Sequence, residues 1–581
     1  MKTIKIGGAS GFWGDSNMSA PQLLASKQLD YLVFDYLAEI TMSIMARQRE
    51  KNPEFGYAHD FVSKVMRESL PEIARQGVKV ISNAGGVNPE SCGRALEKLI
   101  DELSLDLKVA VITGDDLMHR VDELRASGVT EMFSGDLMPA EFMSVNAYLG
   151  GFPVAEALAQ GADIVITGRC VDSAVTLGAC IHEFGWKPEE YDRLAGGSLA
   201  GHIIECGAQA TGGLFTDWEV SRDWANIGYP IVEVNEDGDF IVSKPEGTDG
   251  VVCPEGVAEQ MVYEIGDPQA YILPDVVCDF SQVKMTSAGE QRVQVTGTKG
   301  YRPTTTLKVS ATYNDGFRLI CEATIRGIDA EGKARKTVES VLRRTRRMFA
   351  EAGIPDFTEV HAEYLGASAG SREVWGRLGA KHTSPKALAL LLREMTSSGT
   401  SMSPGTIGGS GVRPKPSPVV RLFSFLVDKA SVSAKVHFAG DSVTVGFAPG
   451  EAFDMDSVRR PVFSDDVPAG ETGIVPLLRI AHGRSGDKGN HANIGIIARK
   501  PEWLPVIREQ LTSEAVAEFF SDLLEGRVDR YDLPGIDGVN FLLHDVLGGG
   551  GVASLRADPQ GKAFAQMLLD FPVRVPKSLL A

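Results

Sequence analysis

The first 215 residues repeat one unit: a short β-rich run, a loop of glycine and polar residues, then a helical stretch. The runs are Ile4–Ile6, Tyr31–Phe34, Val78–Ile81, Lys108–Thr113 and Asp163–Thr167. The loops after them are GGASGFWGDS (Gly7–Ser16), the Asp35 stretch with Glu39, SNAGGVNP (Ser82–Pro89), Gly114-Asp115-Asp116 and GRCVDSA (Gly168–Ala174). Strands separated by helices connect by crossovers, so the pattern predicts a mainly parallel, Rossmann-like sheet. The loops after the strand C-termini of such a sheet line one edge, where ligands bind. Five unusual loops in that position are expected to converge on one crevice.

Read one at a time, these loops carry weaker signals. GGASGFWG departs from the G-x-G-x-x-G dinucleotide spacing and reads as a turn; Gly8, Ser10 and Asp15 are its candidate ligand contacts. Asp35 and Glu39 share a face if a helix starts at Asp35, as paired carboxylates, metal ligands or plain helix-start acids. Asn83, Gly85, Gly86 and Asn88 read as an amide grip on an oxyanion or carboxylate, or as an Asn-rich turn. Asp115 is a site candidate or half of a capping pair with Asp116. Arg169, Asp172 and Ser173 at a helix start suit an anion; a structural Arg–Asp pair is the competing reading. In GGSLAGHIIECGAQATGG (196–213), His202 and Glu205 stand three apart as candidate acid/base partners, as does Glu39 elsewhere. Cys206 is a nucleophile only if its thiol pKa is depressed.

Beyond about residue 228 the chain turns β-rich up to about 330, with Asn314-Asp315-Gly316 reading as a turn between two strands. An α/β remainder runs to 450, giving an N-terminal domain over 1–450. Within it Ser403–Val412 is a glycine-rich loop, a lid or an ordinary surface loop. Residues 451–472 read as a Pro/Gly-rich acidic linker. Residues 473–581 read as a small ferredoxin-like α/β domain, with strands near 538–545 and 551–556 among its elements. Its opening, RIAHGRSGDKGNHANIGIIARKP (Arg479–Pro501), reads as two strands around a polar loop over Gly483–Asn490. Arg484, Ser485, Asp487, Lys488 and Asn490 form there a basic, glycine-rich anion grip, or a hairpin with a solvated tip.

The net charge of −19 argues against non-specific nucleic-acid binding. No apolar run approaches the ~20 residues of a membrane helix. The N-terminus enters a strand directly, and the seven cysteines are dispersed, without zinc spacing, as reduced thiols are. These features predict a cytoplasmic protein, and a homo-oligomer is expected.

Together, IGGASGFWGDS, FDYLAE (Phe34–Glu39), NAGGVNP and ITGRCVDSA (Ile166–Ala174) resemble the acyclic terpene utilization protein A (AtuA) family. RSGDKGNHANIG (Arg484–Gly495) resembles that family's ferredoxin-fold domain. The resemblance spans essentially the whole chain. It implies a part in branched or terpenoid acyl-CoA catabolism, and carries over no catalytic residue. The expected chemistry is that of a hydratase or lyase on a hydroxyacyl- or enoyl-CoA, with CoA as part of the substrate. One alternative is a non-catalytic acyl-CoA-binding or assembly subunit. The other is a divalent-metal-dependent hydrolase or lyase of a small carboxylic acid, built on Asp35, Glu39 and Asp115.

Overall fold

The computed structural model describes residues 2–407, 413–461, 463, 467–551 and 553–580. Its centre is a sheet containing β1 (Thr3–Gly8), β2 (Tyr31–Phe34), β3 (Lys79–Ser82), β4 (Val109–Thr113) and β6 (Ile164–Thr167). They run parallel in the order β1-β2-β3-β6-β4, with Ile6 opposite Tyr31 and Val80 opposite Ile164. Every residue of β2 and β6 is buried, as expected of strands covered on both faces. Leu23, Met45, Phe61, Leu70 and Leu96 belong to one apolar core with Leu32 and Val80.

The sheet is α/β, but less parallel than the sequence suggests. Among the described residues it has eleven strands, and only the central five are parallel. Ile231–Asn235 pairs antiparallel with β1 and Ala434–Phe438 antiparallel with β4. The β-rich segments thus extend the parallel core at its edges, where hairpin strands cover open hydrogen-bonding groups. The expected turn at Asn314-Asp315-Gly316 is absent: Thr306–Arg326 is one strand. Val309–Thr312 pairs with β5 (Ser144–Ala147), and Phe317–Arg326 with Glu373–His382. Ladder pairing along the strand overrides local turn chemistry.

The chain divides into two compact units. The smaller comprises Tyr313–Arg421 and Leu547–Gln560. In it the helices Ala330–Ala352 and Pro385–Ser401 contribute Val338, Val341, Phe349, Leu388 and Leu391 to a core shared with Leu319, Leu378 and Ala380. Part of the Ser403–Val412 loop, residues 408–412, lies outside the described residues.

The larger unit comprises Met1–Thr312, Leu422–Val546 and Gly561–Ala581, so it holds both the parallel sheet and the ferredoxin-like element. The latter is a sheet in the order Ala481–Lys488, His491–Ala498, Gly538–Leu543, Val528–Leu533. The helices Leu504–Gln510, Ser513–Phe519 and Phe564–Leu568 accompany it. Strand Val528–Leu533 takes the place expected for 551–556, which forms no strand among its described residues. The polar segment 483–488 also lies within a strand, and the turn shrinks to Gly489-Asn490.

This element meets the helix Pro254–Val262 and the residues after it. Thr216 Oγ1 donates to the Gly483 carbonyl at 3.1 Å, and Asn493 Nδ2 to the Val262 carbonyl at 2.6 Å. Behind Thr216 lies the buried Glu259, which accepts the Thr216 N–H at 3.2 Å. Burial pushes its carboxyl up to about 8, against the opposing Thr216 hydrogen bond and the Arg484 charge. A carboxyl raised in the folded state favours folding fully below its unfolded value of 4.5. That stability is lost as pH rises towards 8, because the unfolded chain ionises first. Between about pH 5.5 and 7.5 wild type is expected to lose roughly 2–3 kcal/mol of stability relative to Glu259→Gln. Urea unfolding of both proteins across that range checks it; parallel pH profiles would contradict it.

Candidate functional site

The strand-end loops follow the parallel strands as the sequence predicts, and several of their residues engage one another. At Gly8 a Cβ would stand 2.5 Å from the Ile204 carbonyl oxygen and 2.9 Å from Ile204 Cβ. Glycine therefore lets β1 lie against the end of the helix Tyr191–Ile204, next to Glu205. Ser10 Oγ donates to the Asp35 carbonyl at 3.0 Å. Asp15 accepts the Gly11 N–H at 2.9 Å and the Tyr229 hydroxyl at 2.9 Å, which fixes its own loop.

The NAGGVNP loop is turned inward, contrary to its reading as an oxyanion grip. Asn83 is fully buried; its Nδ2 donates to Asp35 Oδ1, and its Oδ1 accepts the Tyr36 N–H at 2.8 Å. The Gly86 N–H returns to the Asn83 carbonyl at 3.2 Å, and a Cβ at Gly85 would meet the Thr167 carbonyl oxygen at 2.6 Å. Asn88 caps the helix Pro89–Glu102 through the Ser91 N–H and donates to the Pro53 and Phe55 carbonyls. The loop's work is to hold Asp35.

Asp35 does not share a helix face with Glu39: the helix begins at Glu39, and Asp35 lies in the preceding loop. The two carboxyls also titrate in opposite directions. Burial, with repulsion from Asp172 and Glu205, raises Asp35 well above the ordinary carboxylate range. Burial also works against ionised Glu39, but Lys308, Arg169 and the Tyr148 hydroxyl outweigh it and hold Glu39 at about 2. Tyr148 donates to Glu39 at 2.7 Å. Arg169 is buried with its guanidinium 4.2 Å from the Tyr148 ring centroid. It donates to Asp172 at 2.6 Å and to the Cys170 carbonyl at 2.9 Å, so the Arg–Asp pair is present and sits inside the cluster. Ser173 Oγ is buried without a hydrogen-bond partner among the described residues. Asp115 accepts Asn146 at 2.8 Å and the Arg169 N–H at 2.9 Å, and burial raises it to about 6.

His202 and Glu205 are brought together. Nδ1 of His202 is 2.9 Å from Glu205 Oε1, and Nε2 is 3.1 Å from the Met261 carbonyl. With both ring nitrogens engaged and 1% exposure, His202 orients Glu205 and does not itself reach a substrate. Burial lifts Glu205 to about 7; the His202 charge opposes the rise, and Asp172 and Glu264 add to it. Cys206 is no thiolate: burial and the neighbouring Glu205 and Glu264 carboxyls raise its pKa well above the ordinary thiol range.

The C-terminal strand completes the cluster from within the same chain. Lys562 donates to Tyr263, to Glu264 at 3.1 Å and to Asp487 at 3.1 Å. Burial and Glu264 raise Asp487 to about 6, against Lys562. Lys488 is exposed, with Nζ 5.7 Å from the Tyr271 ring centroid; that ring lies 5.8 Å from His202. Arg484 does not face an open anion site: it is buried over the Tyr263 ring and donates to Gln209 and the Leu214 carbonyl. Ser485 Oγ accepts the Ala565 N–H at 2.9 Å, and Asn490 donates to Asp545 at 2.9 Å; both are structural.

Tyr148, Tyr263, Glu264, Tyr271, Lys308 and Lys562 were not singled out by the sequence. Alternation along Thr306–Tyr313 puts Lys308 on one face with Ser310, the one available signal for it. Asp35, Glu39 and Asp115 do not form a ligand set, since Asn83, Tyr148 and Asn146 engage them separately. Among the described residues no group of three or more His, Cys, Asp or Glu side chains is arranged to hold a metal ion. Nor, among them, is any helix long and apolar enough to cross a membrane.

A family model described as acyclic terpene utilisation family protein AtuA matches residues 4–438. A second, the AtuA ferredoxin-like domain, matches residues 475–574. No curated protein matches the chain.

Proposed function

The chain belongs to the acyclic terpene utilisation AtuA family, which implies a part in that pathway, and from this premise we propose that it is an enzyme of branched or terpenoid acyl-CoA catabolism. The chemistry is that of a hydratase or lyase on a hydroxyacyl- or enoyl-CoA. One observation carries this reading: a single cluster holds Glu205 near neutrality and Asp35 raised, beside an ionised Glu39 and the fixed cation Arg169. Carboxyls whose environments drive their pKa values apart are the usual mark of an acid and a base working together.

In the dehydration direction the Glu205 carboxylate takes the α-proton of a 3-hydroxyacyl thioester. The electron pair moves to the thioester oxygen, where Arg169 offsets the charge. The pair then returns to form the Cα=Cβ bond as the Cβ–O bond breaks, and protonated Asp35 gives its proton to the departing hydroxyl, which leaves as water. Lys488 meets the CoA phosphates, a role Arg484 cannot fill while Gln209 and Leu214 hold it. The reading includes a cytoplasmic, homo-oligomeric protein whose partner is a small acyl-CoA.

Incubation with a panel of branched enoyl- and 3-hydroxyacyl-CoA esters, read by mass spectrometry, tests it. Turnover of one class is expected, and Lys488→Ala is expected to weaken binding of the ester more than of its free acid. Tight binding without turnover across the panel would replace the enzyme by an acyl-CoA-binding subunit. Absence of binding would remove the thioester altogether.

A further inference from the structure

Three side-chain cations besides Lys488 belong to the cluster, and two of them are paired with carboxylates. Arg169 is held by Asp172 and Cys170, and Lys562 by Tyr263, Glu264 and Asp487. The third, Lys308, is half-buried on the strand Thr306–Arg326. Its backbone carbonyl accepts the Tyr148 N–H at 3.0 Å, which fixes the strand beside Tyr148. Its Nζ lies 5.1 Å from the Tyr148 ring centroid, the same ring that Arg169 approaches to 4.2 Å. Among the described residues this amine makes no hydrogen bond and no ion pair. A half-buried amine with no protein acceptor, beside a second cation, is held ready to lose its proton.

We propose that Lys308 is a carbonyl-reactive lysine that forms an iminium with a ketone or aldehyde bound in the cluster. Burial lowers its pKa, Glu39 opposes the fall, and Lys488 and Arg169 deepen it. The neutral Nζ lone pair attacks the carbonyl carbon, and the C=O π pair moves to oxygen, which takes a proton from the protonated carboxyl of Asp35 or Glu205. The resulting carboxylate removes a proton from nitrogen and returns it to the hydroxyl. The C–O bond breaks, water leaves, and the iminium charge rests near Glu39 and Asp172. The atoms balance with the carbonyl compound as the only co-reactant. The inference goes beyond the thioester reading and does not depend on it.

The test uses the full chain, acetone or pyruvate as probe, and borohydride to reduce any iminium to a stable secondary amine, mapped by peptide mass spectrometry. Lys308 is expected to be labelled at least about tenfold faster than an exposed lysine such as Lys64. Its rate should fall as pH is lowered, with a midpoint below that of an ordinary lysine. Lys429 is an internal control: its pKa too is lowered by burial, to about 8, but it donates to the Pro274 carbonyl at 2.6 Å and is expected to stay unlabelled. Lys308→Arg, checked for folding by circular dichroism, should lose the label. Labelling at Lys308 no faster than at Lys64 overturns the proposal. Labelling at Lys308 without turnover of any CoA ester would sustain it while removing the hydratase or lyase reading.

Discussion

Glu205→Gln is expected to lower kcat by about 10²–10⁴-fold on whichever CoA ester is turned over, the range for losing a general acid or base. The amide is nearly isosteric and still meets His202 Nδ1, so substrate affinity should change little. The pH profile separates a chemical role from a structural one. The His202–Glu205 pair titrates as a unit around neutrality, since burial raises the carboxyl and His202 restrains the rise. Wild-type activity should therefore gain a limb as pH climbs through about 7, and Glu205→Gln should lose it. His202→Gln removes the restraining charge, so the remaining carboxyl should titrate higher and the limb should move up in pH. That shift is what a positioning residue predicts; a histidine acting as base would abolish the limb. Retention of wild-type kcat and pH profile by Glu205→Gln would remove Glu205 from the chemistry.

The sequence exposes the strand-end loops because their composition changes abruptly from β-branched residues to glycine and acids. Asp35, Arg169 and Asp172 were legible for that reason, and Glu205 by its spacing of three from His202 in a glycine-flanked segment. It says less about which loop residues face the crevice. Asn83 looks like a ligand donor by composition, yet Asp35 and the Tyr36 N–H engage both ends of its amide. Arg484 looks like an anion ligand beside three glycines, but the residues that engage it, Gln209 and Leu214, lie some 270 positions earlier. Gly486 belongs with it: a Cβ there would stand 2.7 Å from Glu264 Cγ, so the glycine reports close packing and not a phosphate cradle. Lys308 and Lys562 were hidden by the opposite effect. Single lysines in a strand and in a polar loop are ordinary surface residues, and only tertiary packing carries them to Tyr148 and Tyr263. The same long-range pairing turned the predicted loop 483–488 into a strand and left Asn314-Asp315-Gly316 unturned.

Arg169→Met is expected to destabilise the protein by about 1–3 kcal/mol, the cost of leaving half-buried carboxylates without their buried partner. Methionine fills much of the same volume against the Tyr148 ring, so the loss is electrostatic more than a cavity effect. Without the guanidinium, the Cys170 carbonyl loses a donor and Asp172 its partner at 2.6 Å. Glu39, half-buried, loses one of the two cations that keep it ionised. Asp172→Asn added to Arg169→Met should restore part of the stability, because the uncompensated carboxylate is then gone; the double variant is expected to lose less than the two single losses added together. Lys308→Met is the informative contrast. That amine has no acceptor and opposes its own burial, so its removal should leave stability within about 1 kcal/mol of wild type, although Glu39 loses its other cation. Urea unfolding of wild type, the two single variants, the double variant and Lys308→Met at one pH measures the set. A loss below about 1 kcal/mol for Arg169→Met would mean that Asp172 and Glu39 are solvated well enough to stand alone. A large loss for Lys308→Met would make that lysine a structural counter-ion of Glu39, leaving no free amine for carbonyl chemistry.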